Sequence, residues 1–297
     1  MRLSTQPQIE VLSPAGWQDY ELLDTGDGQR LERFGAYTLS RPDPEAIWRR
    51  RLPDVDWARA NAVFQHGETN ERWTKRGNIP EQWPMRYGAL SFFARLTPFK
   101  HTGVFPEQAV LWQWMQERIA AGGRPIHVLT LFGYTGLGAL AAAQAGARVT
   151  YVDASKWAME WARANQTASE LDEKPIRWLV DDALKFVRRE ARRTTRYDAI
   201  IMDPPSFGRG PKGEVWKFSD SFPPLLDACV ALLSDNPLFV SVTGYALEVS
   251  ALALGNLLAD ALHARRGATA VAELALRERS AGRLLSTSIL ARWTPDS

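Results

Sequence analysis

The chain has 297 residues, of which 45% are hydrophobic and 24% charged. These values are typical of a folded protein with a sizeable core and argue against disorder. The net charge is only +2, from 36 Lys and Arg against 34 Asp and Glu, so overall charge does not by itself indicate a nucleic-acid binder. The length predicts two unequal units, which we place at residues 1–95 and 96–297.

The first unit is predicted to be small and mainly β. GDGQRLERFG, from Gly26 to Gly35, predicts a turn and a hairpin, and RPDP at 41–44 predicts a break. ERWTKRGNIPEQWPMRY, residues 71–87, interleaves aromatic and basic side chains. Stacking on single-stranded nucleic acid is one interpretation, but Trp73, Trp83 and Tyr87 are more often core in a small domain, and we favour core packing.

From about Arg124 onward, strand-like and helix-like segments alternate, which predicts a parallel sheet with crossover helices. The predicted strands begin at Ile126, Arg148, Ile176, Asp198 and Leu238, and the predicted helices span 137–145, 156–170, 183–193, 221–234 and 247–265. The runs TAVAELALRE and LLSTSILARW follow, joined by a turn at 280–283 that is too short for a helix. An antiparallel hairpin is therefore expected, as in the class I methyltransferase fold, a Rossmann-like α/β sheet.

The single cysteine, Cys229, excludes an intramolecular disulfide, and its surroundings LLDACVALL predict packing rather than reactivity. No Cys/His spacing predicts a metal site. No leader is recognised and no apolar run approaches membrane-spanning length, so a cytoplasmic location is the simplest expectation. Two basic clusters, 49–51 and 188–196, are expected to be solvated faces.

A glycine-rich turn follows the first strand of the sheet. FGYTGLGAL places Gly133, Gly136 and Gly138 at a strand-to-helix junction, where glycine lets a ligand approach the backbone. The turn matches neither the dinucleotide pattern G-x-G-x-x-G nor a P-loop, which disfavours a nicotinamide oxidoreductase. Taken alone, such a turn is a weak signal.

Acidic residues end the next three strands. Asp153 lies about 20 residues after the first glycine, the spacing of a carboxylate that accepts hydrogen bonds from ribose. Asp181 and Asp182 follow the third strand; Asp182 is favoured as an adenine contact and Asp181 as a helix cap. Asp203 follows the fourth. Several acids and no phosphate-binding device favour a cationic sulfonium ligand, S-adenosylmethionine (SAM).

Five motifs in order carry a family resemblance: HTGVFPEQ at 101–108, LFGYTGLG at 131–138, YVDASKWA at 151–158, DDALKF at 181–186 and DPPSFGRGPKG at 203–213. The chain from about His101 onward resembles SAM-dependent methyltransferases related to the large-subunit (23S) ribosomal RNA methyltransferases, those with a DPP-x-F motif. The resemblance implies a small accessory β domain before the catalytic domain. It also implies cofactor contacts, which we expect at Phe105, Gln108, Gly133, Thr135, Gly136, Gly138, Asp153, Ser155, Asp181, Asp182 and Asp203.

The fourth strand is predicted to carry the chemistry. Proline restricts both itself and the preceding residue, so Asp203 and Pro204 are expected to form a rigid wall that accepts hydrogen bonds from an amine. Phe207 is the candidate for stacking on a flipped base, with a core aromatic as the alternative. Gly208 to Gly213 is expected to be a mobile loop, whose Arg209 and Lys212 contact RNA phosphates or remain solvated.

One departure bears on mechanism. Relatives that methylate cytosine C5 use a cysteine just after the fifth strand, where this chain has Thr243 and Gly244. A covalent intermediate is therefore disfavoured, and direct in-line transfer to RNA, by kinship ribosomal RNA, is the leading hypothesis. The alternatives are a small-molecule or protein substrate, and a non-catalytic RNA-binding protein with a vestigial SAM site.

Overall fold

The structure is a computed structural model that describes residues 8–65, 72–209 and 215–296. Its strands are β1 (Ile9–Leu12), β2 (Tyr20–Gly26), β3 (Gln29–Phe34), β4 (Tyr37–Pro42), β5 (Ala62–Gln65), β6 (Arg72–Lys75), β7 (Gln82–Tyr87), β8 (Leu90–Arg95), β9 (His127–Leu131), β10 (Arg148–Asp153), β11 (Ile176–Val180), β12 (Ala199–Met202), β13 (Phe207–Arg209), β14 (Val215–Lys217), β15 (Phe239–Tyr245), β16 (Gly267–Arg277) and β17 (Leu284–Pro295). Its α-helices are α1 (Asp54–Ala58), α2 (Ala109–Ala121), α3 (Leu137–Gln144), α4 (Lys156–Ala168), α5 (Ala183–Arg192), α6 (Phe218–Val230) and α7 (Ala251–Ala261), and a 3-10 helix, Pro106–Gln108, precedes α2.

The large sheet has eight strands in the order β1-β16-β17-β15-β12-β9-β10-β11. Strands β15, β12, β9, β10 and β11 run parallel, as expected for apolar strands alternating with helices. The predicted terminal hairpin is confirmed, because β17 pairs antiparallel with both β15 and β16. The predicted Rossmann-like methyltransferase sheet is therefore present.

Local sequence sets most helix boundaries close to the predicted ones. The largest difference is α7, which begins at Ala251 instead of residue 247. The reason is an N-cap: the Ser250 hydroxyl accepts a hydrogen bond from the Ala253 N–H, which fixes the start of the helix. No helix in the described ranges is long and apolar enough to cross a membrane.

The predicted N-terminal β-rich region consists of a five-stranded sheet, β2 to β6, and the hairpin β7–β8. The strand β1 lies instead on the edge of the large sheet, parallel to β16. The tip of the β16–β17 hairpin meets the N-terminal sheet, where the Arg279 N–H donates to the Leu22 carbonyl and the Ser280 hydroxyl donates to Asp24. The two sheets are thus joined by hydrogen bonds as well as by the chain.

The aromatic residues of the stretch 71–87 pack into the protein, as we favoured. Trp83 is buried and donates its indole N–H to the Phe34 carbonyl, while Trp73 packs against Phe64. Tyr87 packs against Trp17, with ring centroids 4.8 Å apart.

Candidate active site

Four neighbouring strands end at one edge of the large sheet. Leu131 at the end of β9 pairs with Val152 of β10 on one side and with Met202 of β12 on the other. The residues that follow these strands therefore lie side by side. This register brings the glycine turn, Asp153 and Asp203 to the same edge, where ligands bind in open α/β sheets.

The three glycines of the turn serve different purposes. A Cβ at Gly133 would lie 2.2 Å from the Tyr151 ring, and Gly136 combines a φ of +83° with a clash against Ala162. Both are required by packing within the protein. A Cβ at Gly138 would meet no atom within 4 Å, although this residue lines the crevice beside the sheet edge. Gly138 is thus the glycine that leaves space for a ligand.

The backbone of the turn is held in a strained form. Phe132 and Tyr134 have φ of 56° and 46°, which is rare for bulky residues. Tyr134 is fixed on both sides, because its N–H donates to Asp153 Oδ2 at 2.9 Å and its carbonyl accepts from the Tyr151 hydroxyl. Asp153 therefore supports the turn in addition to any contact with a ligand.

The two carboxylate oxygens of Asp153 have different hydrogen-bond partners. Its Oδ1 accepts from the Ser155 N–H at 2.8 Å, and the Ser155 hydroxyl in turn caps α4. Burial raises the pKa of the Asp153 carboxyl, against the two backbone hydrogen bonds that lower it. Each oxygen of a carboxylate has two lone pairs, so both retain capacity to accept from a ribose hydroxyl.

The predicted roles of the next acidic pair are partly reversed. Asp182, not Asp181, is the N-cap of α5: its carboxylate accepts from the Lys185 N–H at 2.8 Å. The expected cap at Asp181 is therefore wrong. The Asp181 carboxylate instead accepts from the Asp182 N–H and forms an ion pair with Arg189, which belongs to one of the predicted basic clusters.

A crevice that is partly open to solvent lies at this sheet edge. It is lined by Phe105, Gln108, Thr135, Gly138, Asp203 and Thr243, among others. The segment before α2 is fastened to the glycine turn, because the Thr135 hydroxyl donates to the Gly103 carbonyl at 2.6 Å. Asp153, Asp181 and Asp182 lie outside the lining, farther along the same edge. The structure thus brings the predicted residues to one edge, but only part of them into one cavity.

Asp203 lines the crevice and is hydrogen bonded to the neighbouring strand. The Thr243 hydroxyl donates to Asp203 Oδ1 at 2.7 Å, and the Gln108 amide donates to the Thr243 oxygen at 3.1 Å. Burial raises the pKa of Asp203 to about 6; the Thr243 hydrogen bond lowers it and the nearby Glu107 raises it. Asp203 is therefore a carboxyl that titrates close to neutrality, as in many acid–base sites.

The residues after Pro204 form a short hairpin in part. Phe207–Arg209 pairs antiparallel with Val215–Lys217, so the expectation of a loop from Gly208 onward is wrong for Gly208 and Arg209. Gly208 and Arg209 are part of a strand because they pair with Val215–Lys217, and the Gly- and Pro-rich composition of the stretch does not predict this pairing. The predicted role of Lys212 and of the Arg209 side chain lies outside the described residues.

Trp216 anchors this hairpin. Its indole N–H donates to the Pro205 carbonyl at 2.7 Å, and its ring lies 5.0 Å from that of Phe132 in the glycine turn. Phe207 is opposite Lys217, a neighbour of Trp216, and so lies on the other face of the hairpin. Phe207 is 55% exposed and is not among the residues that line the crevice. The core alternative for Phe207 is therefore wrong.

Cys229 is buried in α6, and burial raises the pKa of its thiol. Its predicted packing role is confirmed. A thiol that resists ionisation is a poor nucleophile. The structure therefore provides no thiolate for a covalent intermediate at this position.

Sequence reasoning missed three residues of the site: Glu107, Trp216 and, as a partner of Asp203, Thr243. The neighbourhood of Thr243 depends on strand order, since β15 pairs with β12 although α6 separates them in the chain. The anchoring by Trp216 depends on the pairing of Phe207–Arg209 with Val215–Lys217, which the Gly- and Pro-rich composition of residues 208–213 does not predict. Only Glu107 had a local signal, its position within HTGVFPEQ.

The fold and this crevice define a cofactor-binding α/β enzyme of the class I methyltransferase type. A family of SAM-dependent methyltransferases matches residues 54–222. The crystal structure of the SAM-dependent methyltransferase from Agrobacterium tumefaciens is 41% identical, with a TM-score of 0.93 over 100% of this chain and 98% of that one. The chain belongs to the SAM-dependent methyltransferases, and its cofactor is SAM.

Among curated relatives, the ribosomal RNA large subunit methyltransferase K/L of Shewanella sp. (strain ANA-3) is 33% identical over 214 residues. The match covers 65% of this chain and 28% of that protein. The protein of the same description from Syntrophotalea carbinolica is 31% identical over 139 residues, which are 46% of this chain and 18% of the relative. The chain thus spans under a third of the length of these relatives.

Proposed function

We propose that the protein methylates a nitrogen of a nucleobase in RNA, with ribosomal RNA as the first candidate, by direct in-line transfer. The observation that carries this proposal is the Asp203 carboxyl, which lines the crevice together with Gly138 and Thr243. The carboxylate oxygens of Asp203 accept hydrogen bonds, so they suit an amine as the group that receives the methyl. Support for RNA comes from the names of the K/L relatives, which describe those longer proteins.

The residues at the sheet edge fit the cofactor. The open space at Gly138 and the apolar wall of Phe105 suit the part of SAM next to its sulfur. We propose that Asp153, with Ser155 beside it, holds the ribose, and that Asp182, with Asp181, contacts the adenine. Gln108, Gly133, Thr135 and Gly136 complete the binding residues that we propose.

When bound, SAM supplies a methyl group on a sulfonium sulfur, and this sulfur keeps the bonding electron pair when the methyl group leaves. The protein has to align the acceptor and exclude water, because an in-line displacement depends mainly on positioning. Pro204 is buried and restricts the backbone at Asp203, which keeps the carboxyl in one orientation. An acceptor amine that donates to Asp203 turns its lone pair away from the carboxyl.

Phe207 is proposed to contact RNA from the rim of the crevice. An exposed aromatic ring opposite Lys217 suits base stacking with a nearby phosphate. We further propose residues 1–95 as an accessory unit, 96–297 as the catalytic domain, and a cytoplasmic location where ribosomal RNA is available.

The test is methyl transfer from labelled SAM to separate pools of RNA, protein and small metabolites from a strain that lacks the gene. We expect label in RNA, which Asp203→Ala abolishes and the control Asp260→Asn, at an exposed site on α7, preserves. Label in metabolites or protein alone would overturn the RNA proposal. RNA binding without transfer in the presence of bound SAM would favour a non-catalytic role.

A further inference from the structure

Thr243 occupies a central position in the site. It lies in β15, two residues before the end of the strand. Because the preceding residue, Val242, pairs with Met202, Thr243 lies beside Asp203. Only 3% of Thr243 is exposed. Its oxygen lies 3.1 Å from Gln108 Nε2 and 2.7 Å from Asp203 Oδ1. The Thr243 hydroxyl thus connects Gln108, the residue before α2, to Asp203, the residue after β12.

The direction of these hydrogen bonds follows from counting protons. A threonine hydroxyl has one proton, and its oxygen already accepts from the Gln108 amide. The proton is therefore donated to Asp203 Oδ1, which must act as an acceptor. Asp203 Oδ2 has no hydrogen-bond partner in the part of the chain that the structure describes. Oδ1 of Asp203 is therefore hydrogen bonded within the protein, and Oδ2 is left to accept a hydrogen bond from the substrate.

We propose that Thr243 is a positioning residue that keeps Asp203 an acceptor and reserves Oδ2 for an exocyclic amine of the substrate. This inference rests on the proposed function and specifies the group that receives the methyl, an exocyclic amine. As the nitrogen gains the methyl group, it becomes cationic. One N–H proton then passes to Asp203 Oδ2 and on to water, so the methylated product leaves neutral.

The surroundings of Asp203 make it harder for its carboxyl to remain ionised and act as an acceptor. Burial and the Glu107 carboxyl both raise the pKa of Asp203, and Thr243 is the group that lowers it. Glu107 is itself buried, accepts from Ser288 and faces Arg30 and Arg41. Without the Thr243 hydroxyl, Asp203 would therefore be protonated over more of the neutral range, and a protonated acid cannot accept the amine proton.

The direct test is a ¹³C NMR titration of the carboxyl of Asp203, assigned with Asp203→Asn. Thr243→Val keeps the shape of the side chain and removes the hydroxyl, so the midpoint should rise by about one to two pH units. Thr243→Ser should titrate like the wild type. Ser241→Ala is the matched control, because Ser241 also lines the crevice from β15 but is not bonded to Asp203. Thr243→Ala replaces Thr243→Val if the latter fails to fold.

Methyl transfer to RNA from the deletion strain gives the second readout. The rate should rise with pH through the midpoint of the Asp203 titration. In Thr243→Val, the midpoint of this pH–rate profile should increase by the same number of pH units as the midpoint measured by NMR. An unshifted midpoint in Thr243→Val, or a Thr243→Ser variant that behaves like it, would overturn the inference. If the wild type transfers no methyl group to RNA at any pH while the NMR shift is present, the proposed function fails and the Thr243–Asp203 coupling stands.

Discussion

A methyl group added at Gly138 should separate cofactor binding from folding. Gly138 is the second residue of α3, and a Cβ there meets no protein atom within 4 Å. Alanine in a helix is favoured over glycine by up to about 1 kcal/mol. We therefore expect Gly138→Ala to leave the Tm unchanged or slightly raised. The added methyl group projects into the crevice, so SAM should bind more weakly.

The size of the effect follows from packing. Forcing an extra methyl group into a well-packed site costs about 1–3 kcal/mol, which is roughly a five- to 150-fold increase in Kd. At Gly133 and Gly136 the same substitution strikes protein atoms, with Cβ distances of 2.2 Å to Tyr151 and 2.7 Å to Ala162. These two variants should instead lose about 1–3 kcal/mol of folding free energy.

Calorimetric titration with SAM and thermal unfolding without it measure the two effects separately. Only Gly138→Ala should weaken binding while keeping the wild-type Tm; Gly133→Ala and Gly136→Ala should lower the Tm of the free protein. Wild-type affinity in a folded Gly138→Ala would refute the assignment of this space to the cofactor. A lowered Tm in Gly138→Ala would refute the packing argument.

Four further predictions concern single side chains. Asp153→Ala should raise the Kd for SAM in calorimetry at least tenfold, since it removes both the proposed ribose contact and support for the glycine turn. Trp216→Phe keeps a ring but loses the hydrogen bond to Pro205, so kcat for RNA should fall while SAM affinity stays within about twofold. Cys229→Ala should retain methyl transfer in the labelled-SAM assay, because the buried thiol takes no part. Asp203→Asn should be more stable than the wild type above neutral pH: the folded pKa of about 6 exceeds the ordinary 3.8, so wild-type stability falls as pH rises through 6. The gain in the free energy of unfolding, measured by chemical denaturation, should grow from pH 4 to 7 and level off at roughly 2–3 kcal/mol.

The fold was predictable because its signals are local. Apolar runs of strand length alternate with amphipathic helices, and the two long runs before and after Ser280 leave no space for a helix. What local signals cannot supply is the partner of an edge strand. The strand Ile9–Leu12 joins the large sheet through pairing with β16, some 260 residues later in the chain, so nothing near it indicates this position.

The site residues that were predictable are those at the ends of the strands. Asp153 and Asp203 follow strands directly, and parallel pairing brings such residues together. The choice between Asp181 and Asp182 was not predictable in the same way. Both are acids before a helix, and only the backbone path decides which one reaches the Lys185 N–H. Capping depends on geometry that composition does not encode.

Asp203 shows why the remaining part of the site required the structure. Its raised pKa arises from burial at a sheet edge and from the nearby Glu107 carboxyl. The hydroxyl that lowers this pKa, that of Thr243, comes from a strand that the chain reaches only after another helix. The fold thus holds a carboxylate where its charge is costly, and the Thr243 hydroxyl stabilises that charge. Such a placement does not help folding, since a neutral side chain would be more stable there. This cost is accounted for by the role that we propose for Asp203, a proton acceptor near the space beside Gly138 that we assign to the methyl donor.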